Sequence, residues 1–256
     1  MAANDTARRN HDALFTGQVS TWAQTDPELI EYFDNFAFDE VQQQGNVDTS
    51  TRLMTQLAAL IACGALSEFK AMAGAALRSG VTPVQLKEVV YQAVPYVGMG
   101  RVVDFIHATN DLLTDRGVQL PVEGQSTTTP ETRFDKGLAV QKRIVGDQRV
   151  DDMYAAAPDD EQHIQRLLSA NCFGDHLTRT GLDLATRELL TFSMLVALGG
   201  CDPQVRGHVA GNINVGNDRA RLIAVATQLL PFIGYPRTLN ALAAIDEIAP
   251  ASKETS

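Results

Sequence analysis

The chain has little of what would place it in several large protein classes. Only three of its 256 residues are cysteines, Cys63, Cys172 and Cys201, and no two form a CxxC pair. That spacing excludes a disulfide framework and a zinc ribbon. Lys and Arg number 21 against 31 Asp and Glu, a formal net charge of −10. This leaves little positive charge for a face that tracks nucleic-acid phosphates, and acidic leaflets would repel the chain. No run approaches the ~18 apolar residues of a membrane span. The opening MAANDTARRN lacks the apolar stretch of a secretory signal. Hydrophobic residues nevertheless reach 45% and charged residues 20%, a globular balance that excludes disorder. The reading is a soluble, cytoplasmic protein with no nucleic-acid, membrane or metal partner.

What is present is a repeat. VDTSTRLMTQLAALIACG (Val47 to Gly64) aligns with LDLATRELLTFSMLVALG (Leu182 to Gly199), an offset of 182 − 47 = 135. Further on, Gly80, Leu86, Val89, Gln92 and Pro95 align with Gly216, Leu222, Val225, Gln228 and Pro231, at an offset of 216 − 80 = 136. The second copy therefore holds one inserted residue, near Gly200. The strongest shared block is PYVGMGR (Pro95 to Arg101) against PFIGYPR (Pro231 to Arg237). Copy one spans 8–117 and copy two 132–248. Residues 118–131, rich in Pro, Gly, Ser and Thr, read as a flexible linker.

The local signals are helical. Asp26-Pro27-Glu28 and Thr82-Pro83 are helix starts, and Asp48 and Asp183 precede long apolar runs as cap candidates. Those runs are apolar nearly all round, the mark of buried central helices. No segment shows the punctuated alternation of a hairpin. The fold class is all-α, with two similar helical domains.

RFDKGLAVQKRIVGD (Arg133 to Asp147), FGDHLTRTGLDLATRELLTFSMLVALGG (Phe173 to Gly200), His208 and PFIGYPRTLNAL (Pro231 to Leu242) together resemble the carboxymuconolactone decarboxylase family. Copy one resembles it through FDEV, DTSTR, Gly80 and the PYVG block. The resemblance implies an alkylhydroperoxidase D-like helical domain, here in tandem duplication. It implies a cofactor-independent decarboxylase acting on a small, anionic, carboxylated lactone or related unsaturated acid. The same family holds thiol peroxidases, so a hydroperoxidase using Cys201 is an alternative. A non-catalytic helical assembly protein is another. Relatives with one copy form rings of subunits, which implies a homo-oligomer here, a trimer of tandem chains.

The resemblance also nominates residues. His208 matches the family's proton-transfer histidine, a residue type that titrates near neutral pH; the alternative is a satisfied core histidine. Copy one has Met72 there. Glu188 matches a glutamate that activates the peroxidase thiol, or it stabilises a helix start; copy one has Leu53. Cys201 stands where the first cysteine of the peroxidase CxxC would be, but Gln204 stands in place of the second. Without a resolving thiol, Cys201 is either a reactive thiol or apolar filler. Arg187, shared with Arg52, either clamps a substrate carboxylate or pins its helix through an ion pair to Asp175 or Glu40. Arg237, shared with Arg101, either binds the anion or caps a helix. His176 and Gln204 complete the candidate substrate contacts. Cys63 reads as core, and Cys172 carries no motif.

Overall fold

The computed structural model describes residues 4–17, 20 and 22–251. Copy one contributes α1 (Asp5–Phe15), α2 (Trp22–Thr25), α3 (Pro27–Asn35), α4 (Thr49–Cys63), α5 (Leu66–Arg78), α6 (Pro83–Val97) and α7 (Met99–Asp115). Copy two contributes α8 (Arg133–Val145), α9 (Asp147–Ala156), α10 (Gln162–Leu167), α11 (Leu184–Leu198), α12 (Asp202–Asn214), α13 (Arg219–Ile233) and α14 (Tyr235–Ile248). Each copy also has a wide-turned π-helical segment, Phe36–Glu40 in one and Leu168–Leu177 in the other. The chain is an all-α tandem duplication, with no strand among the described residues.

The sequence signals place the main helix ends. Asp48 accepts from the Thr51 N–H at 2.9 Å to open α4, and Asp183 accepts from the Thr186 N–H at 2.8 Å to open α11. Thr82 and Gln85 form a capping box at α6. Asp26 does not cap α3; its carboxylate takes the Thr25 hydroxyl at 2.6 Å instead. The inserted residue shows in the turn after each central helix. Gly64 alone turns copy one, at φ 72°, whereas Gly199 and Gly200 both take positive φ, 71° and 70°, in copy two. Left-handed backbone at two successive positions favours glycine at both.

A helix apolar on every side must be covered on every side. Here α4 and α11 pack on each other within one continuous core, to which Leu53, Leu57 and Ile61 of α4 and Leu189 and Phe192 of α11 belong. The copies then exchange covers: α6 of copy one lies on α11, and α13 of copy two lies on α4. Paired glutamines fix this exchange. Gln92 Nε2 donates to the Arg187 carbonyl at 2.7 Å and to Thr191 Oγ1 at 3.1 Å, and its counterpart Gln228 donates to the Val41 carbonyl at 2.7 Å.

The segment 118–131 is not the flexible linker that its composition suggests. The Thr180 N–H donates to the Gln125 carbonyl at 3.1 Å, and the Thr127 hydroxyl to the Thr178 carbonyl at 3.0 Å. The polar residues that suggested mobility tie the chain to copy two. No described helix is long and apolar enough to cross a membrane.

Candidate functional site

The turn after α11 brings α12 back across it and sets His208 over Glu188. His208 Nδ1 lies 2.8 Å from Glu188 Oε2. Asn212, one turn further along α12, donates to the carbonyls of Glu188 at 3.1 Å and His208 at 2.7 Å, which pins the two helices together. Gly211 lets them approach: a Cβ there would stand 2.9 Å from Glu188 Oε2. The Glu188 side chain is 0% exposed and the His208 side chain 16%. The carboxylate is sealed in, and the imidazole is the member of the pair that meets solvent.

His208 opens on a cavity of about 600 Å³ between α6, α8, α9, the Leu168–Leu177 segment, α11 and α12. Tyr96, at the end of α6, presents its ring edge-on to the imidazole, with centroids 5.9 Å apart at 79°. Cys201, Gln204, Cys172, Gln141 and Arg149 lie in the same wall. The Arg149 guanidinium approaches α12, since a Cβ on Gly207 would lie 3.9 Å from Arg149 Nη2. Gln141 is held by the Ser169 hydroxyl, which donates to its Oε1 at 2.5 Å. Its Nε2 and Glu188 Oε1 are buried without a hydrogen-bond partner, and the buried Tyr96 hydroxyl faces Cys172 and Thr191. A buried donor left unpaired is costly, and such groups concentrate at functional sites.

The thiols are protonated groups. Burial pushes Cys172 up to about 12. Burial first, then the neighbouring Asp202 charge, raises Cys201 above an ordinary thiol, and its Sγ donates to the Leu195 carbonyl at 3.2 Å. Burial, then Cys172 and Glu188, hold Tyr96 well above the usual phenol range, so it stays a neutral donor.

Four sequence candidates, His208, Glu188, Cys201 and Gln204, converge here; three do not. Arg187 is 0% exposed and lies outside the cavity. Its Nη2 meets Glu88 Oε2 at 2.8 Å and donates to the Arg179 carbonyl at 2.9 Å, while Nη1 donates to Gln92 Oε1 at 3.0 Å. It is an internal ion pair, but its partner is Glu88 of copy one. Asp175 pairs with Arg133. Arg237 donates to Cys63 Sγ at 3.4 Å behind the cavity, as Arg101 donates to the Ala62 carbonyl at 2.7 Å; both anchor the end of α4. His176 turns away from the cavity toward Tyr91, and burial lowers its pKa.

Tyr96, Gln141, Arg149 and Cys172 escaped the sequence reading. A trace of Tyr96 was available: it is the one hydroxyl gained where the PYVG block differs from PFIG, with Phe232 as its counterpart. Arg149 and Cys172 carry no repeat or motif signal. In copy one the equivalents of Glu188 and His208 are Leu53 and Met72, 0% and 1% exposed, packed as core.

The carboxymuconolactone decarboxylase family profile matches residues 27–111 and 162–247, once in each copy. The chain belongs to the carboxymuconolactone decarboxylase family. A 4-carboxymuconolactone decarboxylase of Acinetobacter baylyi is 28% identical over 118 residues, 46% of this chain and 87% of that relative. In this family member, therefore, the repeat is two family domains in one chain. The Glu188–His208 pair lies in the second, and Tyr96 is supplied by the first.

Proposed function

We propose that the chain is a cofactor-independent decarboxylase of a small carboxylated lactone or related unsaturated acid, with one working site per chain. The observation that carries this reading is the Glu188–His208 pair at the wall of the cavity. With Nδ1 bound to the carboxylate, His208 has Nε2 left for proton exchange. Glu188 orients the ring and offsets the charge of its protonated form, an arrangement suited to a general acid or base.

In such a substrate the carboxylate is conjugated through an alkene to the lactone carbonyl. Its C–C bond breaks, CO2 leaves, and the electron pair flows into the carbonyl as a dienolate. Protonated His208 delivers one proton to carbon and regains one from solvent. Arg149 is the cation for the departing carboxylate. The Gln141 amide is an unpartnered donor at the wall and the Tyr96 hydroxyl a neutral one, of the kind that stabilises a developing oxyanion.

The thiol-peroxidase alternative needs a thiolate, and both cavity cysteines have raised pKa values. The test is ultraviolet-monitored turnover of a carboxylated muconolactone, alongside peroxide reduction with a thiol donor. Lactone turnover that falls ~10²–10⁴-fold in His208→Gln, the usual size for one positioned proton-transfer group, supports the reading. Peroxide turnover alone, or silence in both assays, refutes it.

We also propose that chains associate. Met99 and Val103 on α7 are exposed, and so are Tyr235 and Leu239, their equivalents on α14 at the 136-residue offset. Matching apolar pairs on both copies suit a closed ring, such as a trimer of tandem chains. Light scattering that gives a monomer at every concentration would remove this part. Three unpaired cysteines fit a reducing, cytoplasmic setting.

A further inference from the structure

We infer that a second cavity, separate from the His208 pocket, binds a small organic acid. It encloses about 530 Å³ between α6, α7 and residues 120–124, and its lining includes Lys87, Tyr91, Asn110 and Arg179. Lys87 is only 5% exposed. Buried ammonium groups are ordinarily paired with a carboxylate, because the charge is costly to desolvate alone. Here Lys87 Nζ donates to Asn110 Oδ1 and lies 5.7 Å from the centroid of the Tyr91 ring. Among the described residues no carboxylate forms an ion pair with it.

The neighbouring Glu88 is already committed. Arg179 Nε reaches both its oxygens at 3.0 Å, Arg179 Nη2 reaches Oε1 at 2.8 Å, and Arg187 Nη2 reaches Oε2 at 2.8 Å. One carboxylate thus serves two guanidinium groups, and Lys87 adds a third positive charge. Glu123 at the rim is exposed. The inner wall, with Lys87 and Arg179 against Glu88, carries an excess of positive charge.

The repeat supplies an internal control. At the 136-residue offset, Lys87, Glu88 and Tyr91 correspond to Ile223, Ala224 and Thr227 of α13. That helix folds in the same position without these groups, so the helical packing does not require them. Only in this half do residues 120–124 roof the groove. Val84, Leu120, Pro121 and Val122 give it an apolar side. The complementary ligand is a carboxylate on a compact apolar body, its oxygens on Lys87 and Asn110. This inference is independent of the decarboxylase reading.

The test is calorimetric titration of the full chain with benzoate and with hexanoate. We expect one saturable site, at least about 30-fold weaker in Lys87→Met, since deleting one partner of a buried charged contact has effects of this order. His208→Gln should bind as the wild type does. If Lys87→Met fails to fold by circular dichroism, Asn110→Leu takes its place with the same expectation. Absence of saturable binding of either acid up to about 10 mM overturns the inference, because weaker affinity is not a built site. So does unchanged affinity in the variant. Binding lost in His208→Gln would place the acid in the other cavity and also overturn it. Equally tight binding of inorganic phosphate would reject the organic-acid class.

Discussion

Copy one already contains an apolar version of the Glu188–His208 pair, and transplanting it tests what the pair is. His208→Met alone leaves Glu188, 0% exposed, with no partner against its Oε2 and with Oε1 still unpartnered. Stripping a buried carboxylate of its partner costs about 3–5 kcal/mol, because the group left behind stays buried. For a chain of this size each kcal/mol lowers Tm by roughly 2–4 °C, so the variant should melt about 6–20 °C lower. Adding Glu188→Leu recreates the Leu53 and Met72 combination of copy one, where both residues are buried in the apolar core at 0% and 1% exposure. The double variant should then regain most of the loss, a coupling well above the few tenths of a kcal/mol seen between independent sites. All these variants should be inactive. The assay is thermal and urea unfolding beside turnover. The reasoning is refuted if His208→Met is as stable as the wild type, or if the double variant is no more stable than the sum of its parts. The precedent of Met72 therefore does not make methionine harmless at 208, since copy one has Leu53 where copy two has the carboxylate of Glu188.

Other expectations follow from the same geometry. Cys201→Ser should keep turnover within about tenfold, roughly 1.4 kcal/mol of barrier, because no thiolate is stabilised there; a thousandfold loss would return the reading to the peroxidase branch. Alkylation of Cys201 should accelerate with pH beyond the ordinary thiol range of about 9, because burial and Asp202 both disfavour the thiolate; a rate already level below pH 7 would contradict this. Arg187→Met should lower stability by about 1–3 kcal/mol, since it removes one of the two guanidinium groups on the buried Glu88 and leaves Arg179 in place, while KM stays close to the wild-type value; a selective rise in KM would restore the substrate-clamp assignment. Arg149→Met should do the reverse, raising KM with little change in Tm.

How much was legible in the sequence depended on whether a residue's role is local. The caps at Asp48, Asp183 and Thr82 act within one turn of themselves, and the extra glycine at Gly200 acts within one loop, so pattern alone located them. The buried faces of α4 and α11 followed from their apolar composition. Glu188, His208, Cys201 and Gln204 lie on two adjacent helices joined by a short turn, and motif spacing sufficed to group them. The places of Arg187, Arg237 and His176 outside the cavity were not legible, for the opposite reason. Their partners are Glu88, Cys63 and the Tyr91 region, all in the other copy, and no spacing within copy two reveals a contact across copies. The anchoring of 118–131 escaped similarly, because the Thr127 and Thr128 hydroxyls, which look like linker composition, find the carbonyls of Thr178 and Gly174.

The exchange of helices between copies explains why copy one has lost a site without becoming dispensable. Its own proton-transfer positions hold Leu53 and Met72, which the core accepts as ordinary apolar filling. Its α6, however, covers α11 directly over Glu188 and carries two separate sets of contacts. Gln92 holds the backbone of Arg187, the residue before Glu188, and Tyr96 closes the cavity against His208. A change in α6 would thus be felt in the pocket of copy two, whereas a change at Met72 would be felt only in packing. The two copies are unequal in chemistry because each contributes differently to one shared site. The helix that matters most to His208 outside its own domain is the one that carries Tyr96.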